Sequence, residues 1–404
     1  DETPMFGGRI QIDRENNRAQ VIAENKGLPV KVQSLTGHNI EDYHRNAPYL
    51  RGASTYRIPL FVDRLRLEKM MKGEEPFARF VITQFETGGT ALGMNFSHIV
   101  FDAVSEHQFL AMWAQRCQLR TQGLKEPLPP YANPPSTERT EFLKACGVNA
   151  PSPTLDELEK TLAIPLSNGS LGLCTPKGMR KAMINFFRRF MGVDDRHLIL
   201  NYSADELGAL KKAACAGCKE GEWLSTNDAL CAHVWQLVTK LQQRDPMYSK
   251  NKTGPSRSLY VAVNARPFLA PEAEPSLIGN VIIAVASQED SDTLLSDGTE
   301  NQLNQIATRL RATLKTVTPH YVRSVIQWME KTHPNPVEKV PMTTRGYLQF
   351  NPGDQAQFLI SVARSSEINY FTHDFGSGTP QWGQPQSCYG AALVGHDPND
   401  PSAC

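Results

Sequence analysis

The sequence predicts an α/β protein of two domains. Three observations carry that expectation. Helical and strand periodicities alternate through both halves of the chain. The 404 residues suffice for two hydrophobic cores of ordinary size. After a Pro-rich, irregular surface segment from Glu126 to Pro153, with Leu128-Pro129-Pro130 and Asn133-Pro134-Pro135, a Gly/Ser-rich turn at Ser167 to Leu173 and a basic-aromatic cluster at Phe186 to Phe190 mark the crossover between them. The expected division is a first domain over 1–165, a crossover over 166–195 and a second domain over 196–404.

The elements follow in order. Gly7-Gly8 precedes a short strand at Arg9 to Ile12, and further strands are expected at Ala19 to Ile22 and Leu28 to Val32. Residues 36–75 are mixed and polar. Phe80 to Phe85 then forms an apolar run that meets Gly88-Gly89, a favoured hairpin connection. On the return strand Leu92, Met94, Phe96 and His98 share one face. A helix follows with Ser105 as its expected cap and Phe109, Met112, Trp113 and Cys117 near one face. Beyond a basic-aromatic cluster at Phe186 to Phe190, read as a half-buried helix, a strand is expected at His197 to Asn201. Ser203-Ala204-Asp205-Glu206 is a capping box for a helix carrying Leu207, Leu210 and Ala214. Leu230, Val234, Leu237, Val238 and Leu241 fall at helical spacing. Leu259, Val261 and Val263 alternate as a strand, and Val281 to Ala286 reads as a buried one. Leu303, Ile306, Leu310, Leu314 and Val317 mark a long helix, and Phe358 to Val362 a late strand.

Composition excludes several function classes. Lys+Arg and Asp+Glu both number 42, so the formal net charge is zero and no basic footprint for nucleic acid or anionic membrane is present. The longest nearly apolar run, Leu277 to Ala286, is too short to span a bilayer. The opening Asp1-Glu2-Thr3-Pro4 has no basic segment and no apolar core, unlike a secretory leader. The eight cysteines are scattered, which fits a reducing, cytoplasmic setting. Cys215-Ala216-Gly217-Cys218 is the one close pair; with no second pair or His-x-x-x-His partner it reads as an inert loop. The sequons at Asn95, Asn168, Asn201 and Asn251 read as chance matches, since Asn95 sits inside a strand.

The chemistry centres on His98-Ile99-Val100-Phe101-Asp102. A neutral imidazole at a strand end can take a proton from an alcohol, thiol or amine. From spacing alone two readings stay open, a general base and a structural histidine. A metal site lacks a third ligand near His98 and Asp102. Phe375-Gly376-Ser377-Gly378-Thr379 is not a nucleophile elbow, and neither common phosphate-binding glycine loop is present.

His98 to Asp102, paired with Asp374-Phe375-Gly376-Ser377-Gly378, resembles the paired HxxxD(G) and DFGWG motifs of the BAHD acyl-CoA-dependent acyltransferases. Landmarks between them agree. Gly7-Gly8-Arg9 is similar to the early "AGR" turn and Pro76 to Gly89 to the "P…QvT.F.cGG" strand. Ser225 to Trp235 is similar to "STfdaLaAhvW", and Val263 to Arg266 with Ile278-Gly279-Asn280 to "vn.R…fGN". The resemblance covers nearly the whole chain.

The resemblance implies two chloramphenicol-acetyltransferase-like domains with mixed sheets flanked by helices and an active-site channel at their interface. It implies an acyl-CoA co-substrate, a small-molecule alcohol or amine acceptor, no permanently bound cofactor, no metal and a monomer. His98 would be the general base. Asp102 would pair with Arg266 to brace the turn, and Asp374, Gly376 and Gly378 would be structural. Ser225 and Thr226 would lie near the CoA path, where capping a helix is an equal use for them. Arg345 would correspond to the arginine with which shikimate/quinate hydroxycinnamoyltransferases grip an acceptor carboxylate.

Departures are Ala103 for the HxxxDG glycine, Ser377 for the DFGWG tryptophan, and Val362-Ala363-Arg364 where many plant members carry Thr-Ser-Trp. They raise the alternative of a non-catalytic binding or accessory relative. A carrier-dependent condensation-type enzyme ranks last, because Ser97 stands where a second histidine is usual. Compared with the family pattern, the chain reads as truncated at both ends.

Overall fold

The computed structural model describes residues 4–13, 15, 18–24, 26–43, 62, 63, 65–125, 200–244, 256–269, 277–296, 300–332, 356–362, 369–381 and 392–394. The crossover, the Phe186 to Phe190 cluster, Arg345 and Arg364 lie outside them.

In the first half, β1 (Arg9–Asp13) and β2 (Arg18–Ile22) form an antiparallel pair. A three-stranded mixed sheet then runs β3 (Val30–Leu35), β4 (Ala78–Phe85), β5 (Thr90–Phe96). β3 is parallel to β4, and β4 antiparallel to β5. A short helix α1 (Leu67–Met70) precedes β4. The β4–β5 connection takes four residues, 86–89, rather than the glycine pair alone. Gly88 and Gly89 both have positive φ, at 96° and 90°, which a side chain would resist. The sheet is only partly covered at both edges: Met94 on β5 is 39% exposed and Val32 on β3 63%.

Helix α2 (Ala103–Thr121) packs on this sheet through aromatic rings. Phe80 stacks on Phe109 at 5.6 Å and meets Trp113 edge-on at 4.9 Å, and Phe96 touches both Phe101 and Phe109. Such pairs each contribute on the order of 1 kcal/mol beyond the area they bury. The cap differs from the sequence reading. Asp102 is the N-cap, and its Oδ1 accepts the Ser105 N–H at 2.9 Å, so Ser105 lies inside the first turn. Its extended backbone turns the carboxylate toward the free amides of the first turn, where a negative charge is favoured.

The second half is a four-stranded mixed sheet in the order β7 (Ile282–Asp290), β6 (Ser256–Asn264), β8 (Ala356–Val362), β9 (Ala392–Val394). β6 pairs antiparallel with β7 and parallel with β8. Its helices are α3 (Ala204–Cys215), α4 (Thr226–Arg244), the short α5 (Arg266–Leu269) and α6 (Ser291–Leu295), then α7 (Glu300–Lys315) and α8 (Pro319–Thr332). Leu230, Trp235, Leu259, Val261, Val285, Ile306, Leu310 and Val322 form one buried core. Ser203 and Glu206 make the reciprocal capping box of α3. Leu200 and Asn201 are irregular, so the strand expected there is not formed by them, and Val317 lies past the end of α7. α8 and β9 were not foreseen. β7 starts one residue later than expected and runs to Asp290.

Candidate active site

The turn carrying His98 is held from three sides. The Ser97 N–H donates to the Phe77 carbonyl at 2.7 Å, and the Val100 and Phe101 amides return to the Ser97 carbonyl at 3.0 Å. Phe101, 1% exposed, anchors the turn in the aromatic core. From the second half, the Asn280 side-chain amide donates to the His98 carbonyl oxygen at 2.7 Å. The backbone is thus fixed while the His98 side chain is exposed.

Asp102, four residues on, is in the opposite situation. It is 1% exposed, and its two oxygens accept four hydrogen bonds. Oδ1 takes the Ser105 N–H and Arg266 Nη2 at 2.9 and 3.0 Å. Oδ2 takes Arg266 Nη1 and the Val281 N–H, both at 2.8 Å. With its lone pairs used in this way, the carboxylate has no capacity left to orient an imidazole. Arg266 is equally committed: Nε donates to the Leu277 carbonyl at 3.0 Å, Nη1 also to Asn264, and Nη2 also to Ser105 and the Gly279 carbonyl. The pair joins residues 164 positions apart and ties the two halves together beneath the His98 turn.

Residues 370–378 lie as a strap along α2. The Tyr370 hydroxyl donates to Glu106 at 3.4 Å, and His373 Nε2 meets His107 Nδ1 at 3.0 Å. Phe375 packs edge-on against Trp113 at 5.3 Å. Gly376, at φ 99°, lies so close to Thr121 that a Cβ there would overlap the threonine hydroxyl. Asp374 Oδ1 accepts the Gly376 and Gly378 amides at 2.7 and 2.9 Å, which hold its carboxyl below the usual range. Ser377 is exposed. The strap is therefore fastened to α2 from its first turn to its last.

Burial pushes Glu106 up to about 7; the Tyr370 hydrogen bond opposes this and nearby Asp102 adds to it. Burial, with His107 alongside, lowers His373 to about 4, and burial lowers His107. This four-residue cluster was missed from sequence. Its one signal was Glu106 at i+4 from Asp102, which places an acid on the buried face of α2. A cavity of about 290 Å³ lies between sheet and helix, lined by Leu28, Val30, Phe80, Phe109, Met112, Trp113 and Arg116, and His98 does not line it.

Ser225 is bound into the start of α4. Its hydroxyl and amide both donate to Asp228 Oδ2, at 2.7 and 2.6 Å, and Arg311 donates to both side chains. The Arg311 guanidinium lies 4.9 Å from the ring centre of Trp223, which is 60% exposed, and Lys211 Nζ lies 5.9 Å from it. Among the described residues, no three His, Cys, Asp or Glu side chains converge as a metal site, and no helix is long and apolar enough to cross a membrane.

Comparison with known proteins agrees with this architecture. The model of the Transferase family matches residues 7–169 and 184–394. Acyltransferase GLAUCE from Arabidopsis thaliana is 24% identical over 82% of this chain and 64% of its own. Omega-hydroxypalmitate O-feruloyl transferase from the same plant is 24% identical over 75% of this chain and 53% of its own. The chain thus spans between half and two thirds of these relatives. Among solved structures, F. graminearum TRI101 complexed with Coenzyme A and T-2 mycotoxin superposes with a TM-score of 0.62 at 15% identity, covering 97% of this chain and 80% of that one. Vinorine synthase superposes with a TM-score of 0.57 at 17% identity, covering 98% and 75%. The α/β fold with mixed sheets is the one those enzymes share, and with the family model matching most of its length the chain belongs to the BAHD acyltransferase family.

Proposed function

We propose that this protein transfers an acyl group from acyl-CoA to a hydroxyl or amine of a small-molecule acceptor, with His98 as the general base. The observation that carries the proposal is the contrast within the motif: the His98 side chain is exposed on a fixed turn, while Asp102 is wholly spent on Arg266, the helix cap and the Val281 amide. Such a site needs one base and a held geometry, which is what direct acyl transfer requires.

The imidazole takes the acceptor proton as the acceptor oxygen or nitrogen attacks the thioester carbonyl. The tetrahedral oxyanion collapses, the carbon–sulfur bond breaks, and the CoA thiolate leaves with the proton returned by His98. No acyl-enzyme forms. Asp102 and Arg266 act as a brace, and Asp374, Gly376 and Gly378 shape the strap. The CoA path runs past the start of α4, where Thr226 lies beside a cap that already occupies Ser225, and the channel runs between domains over 1–165 and 196–404. The relative named as an O-feruloyl transferase supports acyl transfer, and the Coenzyme A complex of TRI101 supports acyl-CoA as donor class. Arg345 is assigned to an acceptor carboxylate, and the working form is a cytoplasmic monomer.

The test is thiol release from acetyl-, malonyl-, medium-chain and hydroxycinnamoyl-CoA with a panel of alcohols and amines. Release by the wild type and a loss on the order of a hundredfold or more in His98→Ala is the expected result. A His98→Ala protein as active as wild type would overturn it. Absence of release from every donor would favour the non-catalytic reading that Ser377 raises.

A further inference from the structure

Tyr370 and His373 approach Glu106 and His107 from more than 260 residues along the chain, on the helix whose N-cap is Asp102. We propose that these four residues form a proton-operated latch that holds the 370–378 strap closed on α2 while Glu106 is neutral and loosens it when Glu106 ionises. They are positioning residues, since none of them is assigned to the reacting atoms. The regulation of activity rests on the acyl-transfer reading; the latch itself does not.

The geometry supplies the reason. Glu106 is packed between α2 and the strap, and among the described residues its side-chain hydrogen bond comes from the Tyr370 hydroxyl. Among the described residues the charge that acts on it is Asp102, the N-cap of its helix, whose negative charge opposes a second one, although Arg266 from α5 offsets part of that field. From the strap, the titratable groups are Tyr370 and His373, with Asp374 farther along. Tyr370 is pushed far above its ordinary range by burial and by Glu106, so it stays a neutral donor. His107 and His373 face each other, both driven toward the neutral form, and share one N–H between two nitrogens. Near neutral pH the cluster can therefore be wholly uncharged, which is what a buried polar junction needs.

Ionisation of Glu106 puts a carboxylate in that junction with one neutral donor to solvate it. The buried group titrates near 7, against an ordinary value of 4.5, and the relief available is opening the strap to water. Thermodynamic linkage then makes the open-to-closed ratio rise with pH, by on the order of a hundredfold once the closed form is fully ionised.

The experiment is hydrogen exchange of the segment 369–381, corrected for the intrinsic pH dependence of exchange, on the full chain between pH 5.5 and 8.5. Wild-type protection is expected to fall by about thirtyfold across that range, since part of the total change lies below pH 5.5, whereas Glu106→Gln, neutral and of the same shape, stays level. Tyr370→Phe removes the donor that favours the carboxylate, so its midpoint moves to higher pH; this variant decides the matter if Glu106→Gln does not fold. Thiol release against pH is read in parallel, and its alkaline decline should be absent in Glu106→Gln. Level protection in the wild type, a Glu106→Gln protein that loses protection as the wild type does, or an unmoved Tyr370→Phe midpoint would each overturn the latch. Because exchange needs no substrate, its outcome stands whether or not acyl transfer is observed.

Discussion

Within five residues the chain places one ionisable side chain in water and another in complete enclosure. His98 is exposed, whereas four hydrogen bonds commit Asp102 to the helix cap, to Arg266 and to the Val281 amide. Environment rather than spacing decides the role. The same holds for His373, which no motif marks. Burial first, and His107 second, lower it from 6.5 to about 4. The native state therefore resists a proton that the unfolded chain accepts. The stability contributed by neutral His373 is fully present above pH 6.5 and is lost as pH falls toward 4. Thermal unfolding at pH 7 and pH 4 checks this. The wild type should lose more on acidification than His373→Gln, whose amide reaches the same position without titrating. Equal acid sensitivity in the two proteins would contradict the assignment.

Among elements, those with strong local patterns were legible. The hairpin, α3 with its capping box, α4 and α7 all carry their signals within one stretch of chain. The parallel neighbour β3 was found, but its pairing with β4 depends on sheet order, which local patterns do not encode. α8 carries its signal locally too, in Pro319 at its first position and in Tyr321, Val322, Val325 and Ile326 at helical spacing. β9 has three residues, too few for any periodicity. The Asp-Phe-Gly segment was recognised only by resemblance, and its docking along α2 is a long-range fact. Gly376 shows what that docking demands. Its φ of 99° disfavours any side chain, and a Cβ would meet Thr121. Gly376→Ala should destabilise the protein by about 1–3 kcal/mol, read from denaturant unfolding. Adding Thr121→Ala removes the clash but not the backbone strain, so it should restore only part of the loss. Full restoration would locate the whole cost in the contact.

For the whole molecule, the question is what makes two sheets on separate stretches of chain act as one site. Links that cross between the halves near the His98 turn include Asp102 with Arg266 and the Val281 amide, Ser105 with Gly279, Asn280 with the His98 carbonyl, and the strap with α2. Of these the ion pair is the most enclosed, at 1% and 2% side-chain exposure. Burying two charges costs several kcal/mol, so such a pair need not raise stability over an apolar substitute, but removing one partner leaves the other charged and unsatisfied. Each of Asp102→Asn and Arg266→Met should therefore cost about 3–5 kcal/mol. The double variant should cost less than the sum, because neither orphaned charge remains, and the coupling should reach about 2 kcal/mol or more. Denaturant unfolding of the four proteins closes the cycle. The singles should also lose activity more steeply than stability at temperatures where both remain folded, since the turn carrying His98 is set by this pair. Additive single costs would mean that the two halves are aligned by the strap and Asn280 instead.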